Sequence, residues 1–183
     1  MRTPKIKQLY KLIDWINYYK NHNIVKLPLD DSSLDLNPWF SGFIEADGCF
    51  YIRYSQNKHA NTKKISCMLE LTQKRTNLND EDIIEIMNKI SGFLLTNLKF
   101  RTKRNQYWIR TNSLESNLKL IEYLTKYPLF SSKYMDYISW KKVIKFINNK
   151  EQKEKLNEIL KYKENMNSKR TFFNWDHLNK FYF

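Results

Sequence analysis

Glycine is nearly absent from this chain. Three occur in 183 residues, beside four prolines. Two of the three, Gly42 and Gly48, sit inside one stretch, WFSGFIEADGCFYIRYS (residues 39–55), around the acidic pair Glu45 and Asp47. Cysteine is equally scarce: Cys49 and Cys67 make neither a disulfide framework nor a zinc set. The three histidines, His22, His59 and His177, have no ligand spacing, and no Ser–His–Asp or Cys–His arrangement can be drawn. The longest apolar runs, such as GFLLTNL, are too short to cross a bilayer. The opening MRTPKIKQLYKLIDWI lacks the apolar core and cleavage site of a signal peptide, so none is expected. Acidic residues are the last deficit, 19 against 32 Lys plus Arg, which leaves a formal charge of +13.

What is present bounds the class. Apolar residues make up 42% and aromatics 15%, which excludes a disordered chain. A chain of this length buries a core and forms one domain with appended elements. The basic excess implies an anionic partner, and nucleic acid fits better than a membrane surface because no basic amphipathic helix stands alone. The abundance of Asn, Lys, Ile and Tyr reflects A/T-rich codons and fits an organelle genome. That bias raises Lys but does not explain why Asp and Glu fail to keep pace.

Periodicity gives the order of elements. Residues 4–20 read as a helix with Pro4 in its first turn and Leu9, Leu12, Ile13 and Ile16 at helical spacing. Residues 21–37 read as a linker. A short apolar helix spans Trp39–Ala46. After Gly48 the period becomes two: Phe50, Ile52 and Tyr54 on one side, Tyr51, Arg53 and Ser55 on the other. ISCMLELTQ repeats the pattern after the polar loop QNKHANTKK, with Met68 an oddity on the polar side. A helix follows, with Asn79 as its cap, Asp80, Glu81 and Asp82 on its dipole, and Gly92 as its left-handed end. FLLTNLKFR and QYWIRTN read as a second strand pair around the basic turn TKRN. Three more helices and an aromatic, basic tail complete the chain. The expectation is α+β: one antiparallel four-stranded sheet, half covered by helices. Its parts are an N-terminal helix and linker (1–37), a core domain (38–150), and a C-terminal helix and tail (151–183).

Gly42 and Ala46 lie at i and i+4, a spacing that lets two helix backbones approach closely. Asp47 ends that helix and Gly48 frees the backbone to turn into the strand. If two such helices pack, their Asp47 carboxylates meet, and paired carboxylates hold divalent cations that serve phosphodiester cleavage.

FSGFIEADG resembles the LAGLIDADG motif of homing endonucleases. Gly42, Ile44, Ala46, Asp47 and Gly48 match it outright; Phe40, Ser41, Phe43 and Glu45 are conservative replacements. LTQK resembles the end of the family's second strand, which puts Gln73 beside the metals. PLFSSKYMDYISWKK resembles the segment carrying the active-site lysine, here Lys133. The tail resembles endings of fungal mitochondrial intron-encoded members. The resemblance implies an αββαββα repeat with a saddle-like sheet lying in the DNA major groove. By alternation its contacts are Tyr51, Arg53, Ser55, Lys64, Ser66, Glu70 and Thr72 from the first hairpin, and Lys99, Arg101, Arg104 and Arg110 from the second. It implies Mg²⁺ at Asp47 and the Ala46 carbonyl, catalytic roles for Asp47, Gln73 and Lys133, and helix pairing through Gly42 and Ala46.

Family members carry one motif and dimerise, or two in a longer chain. This chain has one. Yet RTPKIKQLYKLIDWIN resembles the segment that closes the first half of two-motif enzymes, and NIVKLPLDDSSLDLNPW the link to the second. Aligning Lys5 with Lys133 gives a faint internal echo. The expectation is a mitochondrial, organelle-encoded DNA endonuclease acting as a homodimer or with a separate polypeptide supplying the other half. The alternative is a cleavage-inactive derivative on structured RNA, an intron maturase or part of a larger RNA assembly such as a mitochondrial ribosome. No membrane partner is expected.

Overall fold

The computed structural model describes residues 2, 3, 6–57, 62–76 and 81–179. Helix α1 (Ile6–Lys20) leads through an extended segment to α2 (Trp39–Asp47), which runs directly into strand β1 (Gly48–Asn57). Then come β2 (Thr62–Lys74), α3 (Ile84–Phe93), β3 (Lys99–Arg101), β4 (Gln106–Arg110), α4 (Leu114–Lys126), α5 (Lys133–Asn148) and α6 (Leu156–Glu164). The strands form one open antiparallel sheet in the order β1-β2-β4-β3. The α+β expectation holds, with the helices gathered on one face.

Strand alternation sets the two faces. Phe50 and Ile52 of β1, Cys67, Leu69 and Leu71 of β2, and Tyr107 and Ile109 of β4 are buried. Against them pack Phe40 and Ile44 of α2, Met87 and Ile90 of α3, Leu120 and Leu124 of α4, and Trp140 and Val143 of α5. The Trp140 ring stands 5.3 Å from that of Phe50. The C-terminal elements join this core: Ile159 of α6 is fully buried, and Met166 nearly so. Each such side chain contributes about 1.5–3 kcal/mol relative to exposure. Met68, the oddity on the polar side, is also buried, opposite Tyr51.

Scarce glycine leaves its mark on the turns. No glycine has positive φ; among the described residues Asn21, Leu95, Asn105, Lys150 and Asn167 do. Three of the five are asparagine, the side chain that tolerates this region best. Helix α3 does not end at Gly92 as its sequence suggests. It runs on to Phe93, because Leu94 is fully buried and belongs with the helix rather than with a strand. Leu95 then takes the left-handed position at φ 53°. Leu95 N–H donates to Gly92 O at 3.1 Å and Thr96 N–H to Ser91 O at 3.0 Å, the paired bonds of a Schellman close. Gly48 also differs from expectation. Its φ of −81° is ordinary; what it needs is room, since an added Cβ would lie 2.8 Å from Ile44 O and 2.9 Å from Ile44 Cγ2.

Other boundaries move. FLLTNLKFR supplies only three strand residues, Lys99–Arg101. The first hairpin is longer than read, pairing through Asn57 and Thr62. Helix α3 starts at Ile84, whose N–H is capped by Asp82 Oδ1 at 2.9 Å; Pro4, His59, Asn79 and Asp80 lie outside the described residues.

The N-terminal segment is attached by polar ties. Arg2 reaches Ser32 Oγ at 2.7 Å and Asp30 at 3.2 Å. Helix α1 buries only Ile6 and Ile13. Leu12 is 51% exposed and Trp15 50%, and Val25 and Leu27 in the following segment are each 71% exposed. Among the described residues no helix is long and apolar enough to cross a membrane.

Candidate active site and nucleic-acid interface

Helix α2 buries Phe40, Ser41 and Ile44 and leaves Gly42, Ala46 and Asp47 exposed. A Cβ added at Gly42 meets nothing within 4 Å, so this small-residue face is open. The opposite face is bolted down. Ser41 Oγ donates to Tyr127 O at 2.5 Å, and Ser41 N–H to Tyr123 Oη at 3.1 Å.

Two reciprocal ties join the end of α2 to the start of α5. The Glu45 carboxylate accepts the N–H groups of Phe130 and Ser131, and the Ser131 hydroxyl, in the turn before α5. In return Lys133, the first residue of α5, sends Nζ to the carbonyls of Ile44 at 2.8 Å and Glu45 at 2.7 Å. The lysine thus satisfies carbonyls that the helix end leaves open, and its charge suits that end of the dipole. Burial holds its pKa below the usual lysine value, partly opposed by the carboxylates of Glu45 and Asp47. Lys133 and Asp47 therefore share one small region. Gln73 approaches it from the sheet: Gly48 pairs with Leu71, and Gln73 lies two residues further along β2, about 7 Å. It pairs with Tyr107 and has the parity of the helix-covered face, so it stands at the edge of the core rather than on the uncovered face of the sheet.

Among the described residues no group of three or more His, Cys, Asp or Glu is placed to hold a metal ion. One exposed carboxylate and the Ala46 carbonyl, which Lys133 leaves alone, are hard oxygen donors of the kind Mg²⁺ or Ca²⁺ takes. They fit half a site, not a whole one.

The uncovered face of the sheet carries the base-facing candidates. Arg53 stands opposite Ser66, Ser55 opposite Lys64, Tyr51 opposite Met68, and Glu70 opposite Arg110. Tyr51, Arg53, Ser55, Lys64 and Lys99 are exposed; Ser66, Thr72, Arg101 and Arg110 are half-buried. Arg104 departs from the alternation, lying in a 3₁₀ turn, Thr102–Arg104, at the hairpin tip. Glu70 is not free. It takes Arg110 Nε at 2.9 Å, a closer Arg110 Nη2, and Arg101 Nη2 at 3.4 Å.

Trp108 was not among the expected contacts. Its ring lies on the same face, opposite Thr72 and Lys99, with Arg101 and Arg110 4.5 and 4.6 Å from its centroid and Lys99 at 5.2 Å. The signal was available: a tryptophan in phase with Gln106 and Arg110, on the side meant to be polar. Also missed was the pin that holds the tail. Asp136 accepts Asn167 N–H at 3.1 Å and Arg170 Nη2 at 2.6 Å, and the Asp136 and Arg170 side chains are each about one-tenth exposed.

Known proteins share this motif and this fold. The family model described as LAGLIDADG endonuclease matches residues 40–144. The intron-encoded DNA endonuclease aI3 of Saccharomyces cerevisiae is 31% identical over an alignment covering all of this chain and 52% of that protein. The probable intron-encoded endonuclease 4 of Neurospora crassa is 31% identical over 88% of this chain and 29% of its own length. The chain thus spans about half, or less, of these curated relatives. Among solved structures, the homing endonuclease I-LtrWI bound to target DNA superposes with a TM-score of 0.64 at 23% identity, over 86% of this chain and 52% of that one. The homing endonuclease I-TnaI superposes at 0.61 and 22% identity, over 80% of this chain and 96% of that one. With the motif helix, the sheet and the lysine in place, the chain belongs to the LAGLIDADG endonuclease family.

Proposed function

We propose that this chain is one half of a divalent-metal-dependent, site-specific DNA endonuclease, completed by a second LAGLIDADG half from another copy or another polypeptide. The observation that carries it is the end of α2: Asp47 exposed, Lys133 lashed beside it, and the Gly42–Ala46 face open. Alone, Asp47 is half a metal site; the open face offers the means of bringing a second carboxylate to it. The exposed apolar side chains of α1 favour a partner half that also covers that helix. The fungal intron-encoded relatives support a mitochondrial origin.

In this reading the uncovered sheet face docks on duplex DNA, with Arg53, Lys64 and Lys99 on phosphates and base edges. Asp47 and the Ala46 carbonyl would hold a divalent cation, which supplies Lewis acidity toward the phosphate oxygens. Lys133 keeps a fixed positive charge beside the scissile group, and its placement on the carbonyls of α2 means no reorganisation is needed as charge develops. Gln73 orients the attacking water from the edge of the sheet.

The test is cleavage of a duplex library by the chain with Mg²⁺, alone and with a candidate partner half. Asp47→Asn is expected to abolish cutting by a factor of at least about 10³ while leaving duplex binding intact. Equal loss of binding, or retention of structured RNA with no duplex bound, would sink the reading.

A further inference from the structure

The uncovered sheet face holds one assembly that a row of independent DNA contacts does not explain. Trp108 projects from the middle of it, with two arginines and a lysine around its ring. Both arginines converge on Glu70, only 15% exposed in its side chain. The five residues come from three strands, and the register fixes their approach: Glu70 faces Arg110, and Trp108 faces Lys99.

Free arginines on a flat sheet are poor readers. They lose rotamer freedom on contact, and they reach phosphate as readily as base. Here that freedom is already spent. Arg110 gives Nε and Nη2 to one carboxylate oxygen, a side-on grip. The outer edge of the guanidinium is left with N–H donors pointing away from Glu70. That edge has the fork geometry that matches O6 and N7 of guanine in the major groove. Trp108 supplies an aromatic surface under both guanidinium carbons, 4.5 and 4.6 Å from its centroid, a cation–π contact that restricts them further.

Resting on the endonuclease reading above, we propose that Arg110 and Arg101, lying over the Trp108 ring and held by Glu70, form a guanine-reading unit. Glu70 is its positioning residue and does not itself contact a base. This reassigns Glu70 from a direct contact to a support: its oxygens are occupied, so it has little left for a cytosine amino group. Lys99, exposed and free of Glu70, contributes a phosphate contact at the edge of the same unit.

The experiment is selection of bound sequences from a randomised duplex library by the full chain, repeated for three variants, with thermal unfolding measured in parallel. Wild type should yield guanine at one or two fixed positions. Arg110→Lys should cut the preference at one of them by about tenfold or more and leave the others unchanged. Glu70→Gln should relax the same positions, with any fall in Tm leaving the protein folded at the binding temperature, while affinity for unselected duplex stays equal or rises because a negative charge is gone. Lys99→Ala should weaken all sequences evenly and lower the salt slope by about one. A Glu70→Gln profile identical to wild type, or no guanine at positions Arg110→Lys alters, overturns the guanine unit and leaves the endonuclease reading standing. Failure of the wild-type chain to retain any duplex, either alone or together with a partner half, overturns both.

Discussion

At position 95 a leucine holds backbone angles that a glycine would adopt without strain. The left-handed region costs a side chain with a Cβ about 1–2 kcal/mol, and Leu95, half exposed, recovers little by burial. Leu95→Gly should therefore raise stability by about 0.5–1 kcal/mol after the extra entropy of the unfolded glycine is counted, read as a shift in urea midpoint. Gly48→Ala should do the opposite. Its new methyl collides with backbone as well as side chain of Ile44, and about 1–3 kcal/mol should be lost, with the end of the motif helix displaced. A neutral result in the urea midpoint would refute the contact. The sequence reveals that Gly48 matters but misstates why. Glycine is usually chosen for φ, and nothing in a linear string shows that a carbonyl four residues back will sit where Cβ would go. Asp47 was legible because a nine-residue motif surrounds it. Trp108 was less legible, because charge marks a polyanion-binding face whereas an aromatic set among arginines reads equally well as core.

The elements were readable wherever a period lasted several residues. β1 and β2 alternate cleanly, and α4 opens on Ser113, whose hydroxyl accepts Ser116 N–H at 3.1 Å, and ends before Pro128. The region after α3 was misread because the apolar run FLL satisfies a strand as well as the buried end of a helix. Packing, not propensity, decides it. Long-range ties were invisible for a related reason: Glu45 and Ser131 are 86 positions apart. Their capping is testable. Glu45→Ala removes the acceptor for two N–H groups at the start of α5 and should cost about 1–2 kcal/mol. It should also loosen Lys133, seen as a larger loss of cleavage rate than of DNA affinity. At the other end of the chain, Asp136→Ala strands the nearly buried Arg170 guanidinium. A loss of about 3–5 kcal/mol is expected, with limited proteolysis entering residues 167–179 first. An unchanged cleavage pattern would show that the pin is ornamental. On α2, Gly42→Leu should leave the urea midpoint of the chain near wild type, since the space there is open, yet abolish assembly with a second half in analytical ultracentrifugation.

As a whole the molecule should lose stability in alkali by a defined route. Burial pushes the Cys67 thiol from its ordinary 9.0 up to about 12, and the Tyr137 phenol from 10.0 up to about 12. In the unfolded chain both release protons near their ordinary values. The stability they support is complete below pH 9 and drains away as pH climbs toward 12. The urea midpoint should fall across pH 9–11, and Cys67→Ala should flatten the first part of that fall. The charge of +13 adds a second global trait, duplex affinity that drops steeply with salt. The bare flank of α1 sets the conditions under which any of this is measured. Leu12, Trp15, Val25 and Leu27 form a sticky rind whose solubility is a matter of stoichiometry. Made in excess, the chain should clump or recruit chaperones. Made in step with a matching half, it should stay in clear solution, so co-expression titres are themselves a readout of what that flank was shaped to meet.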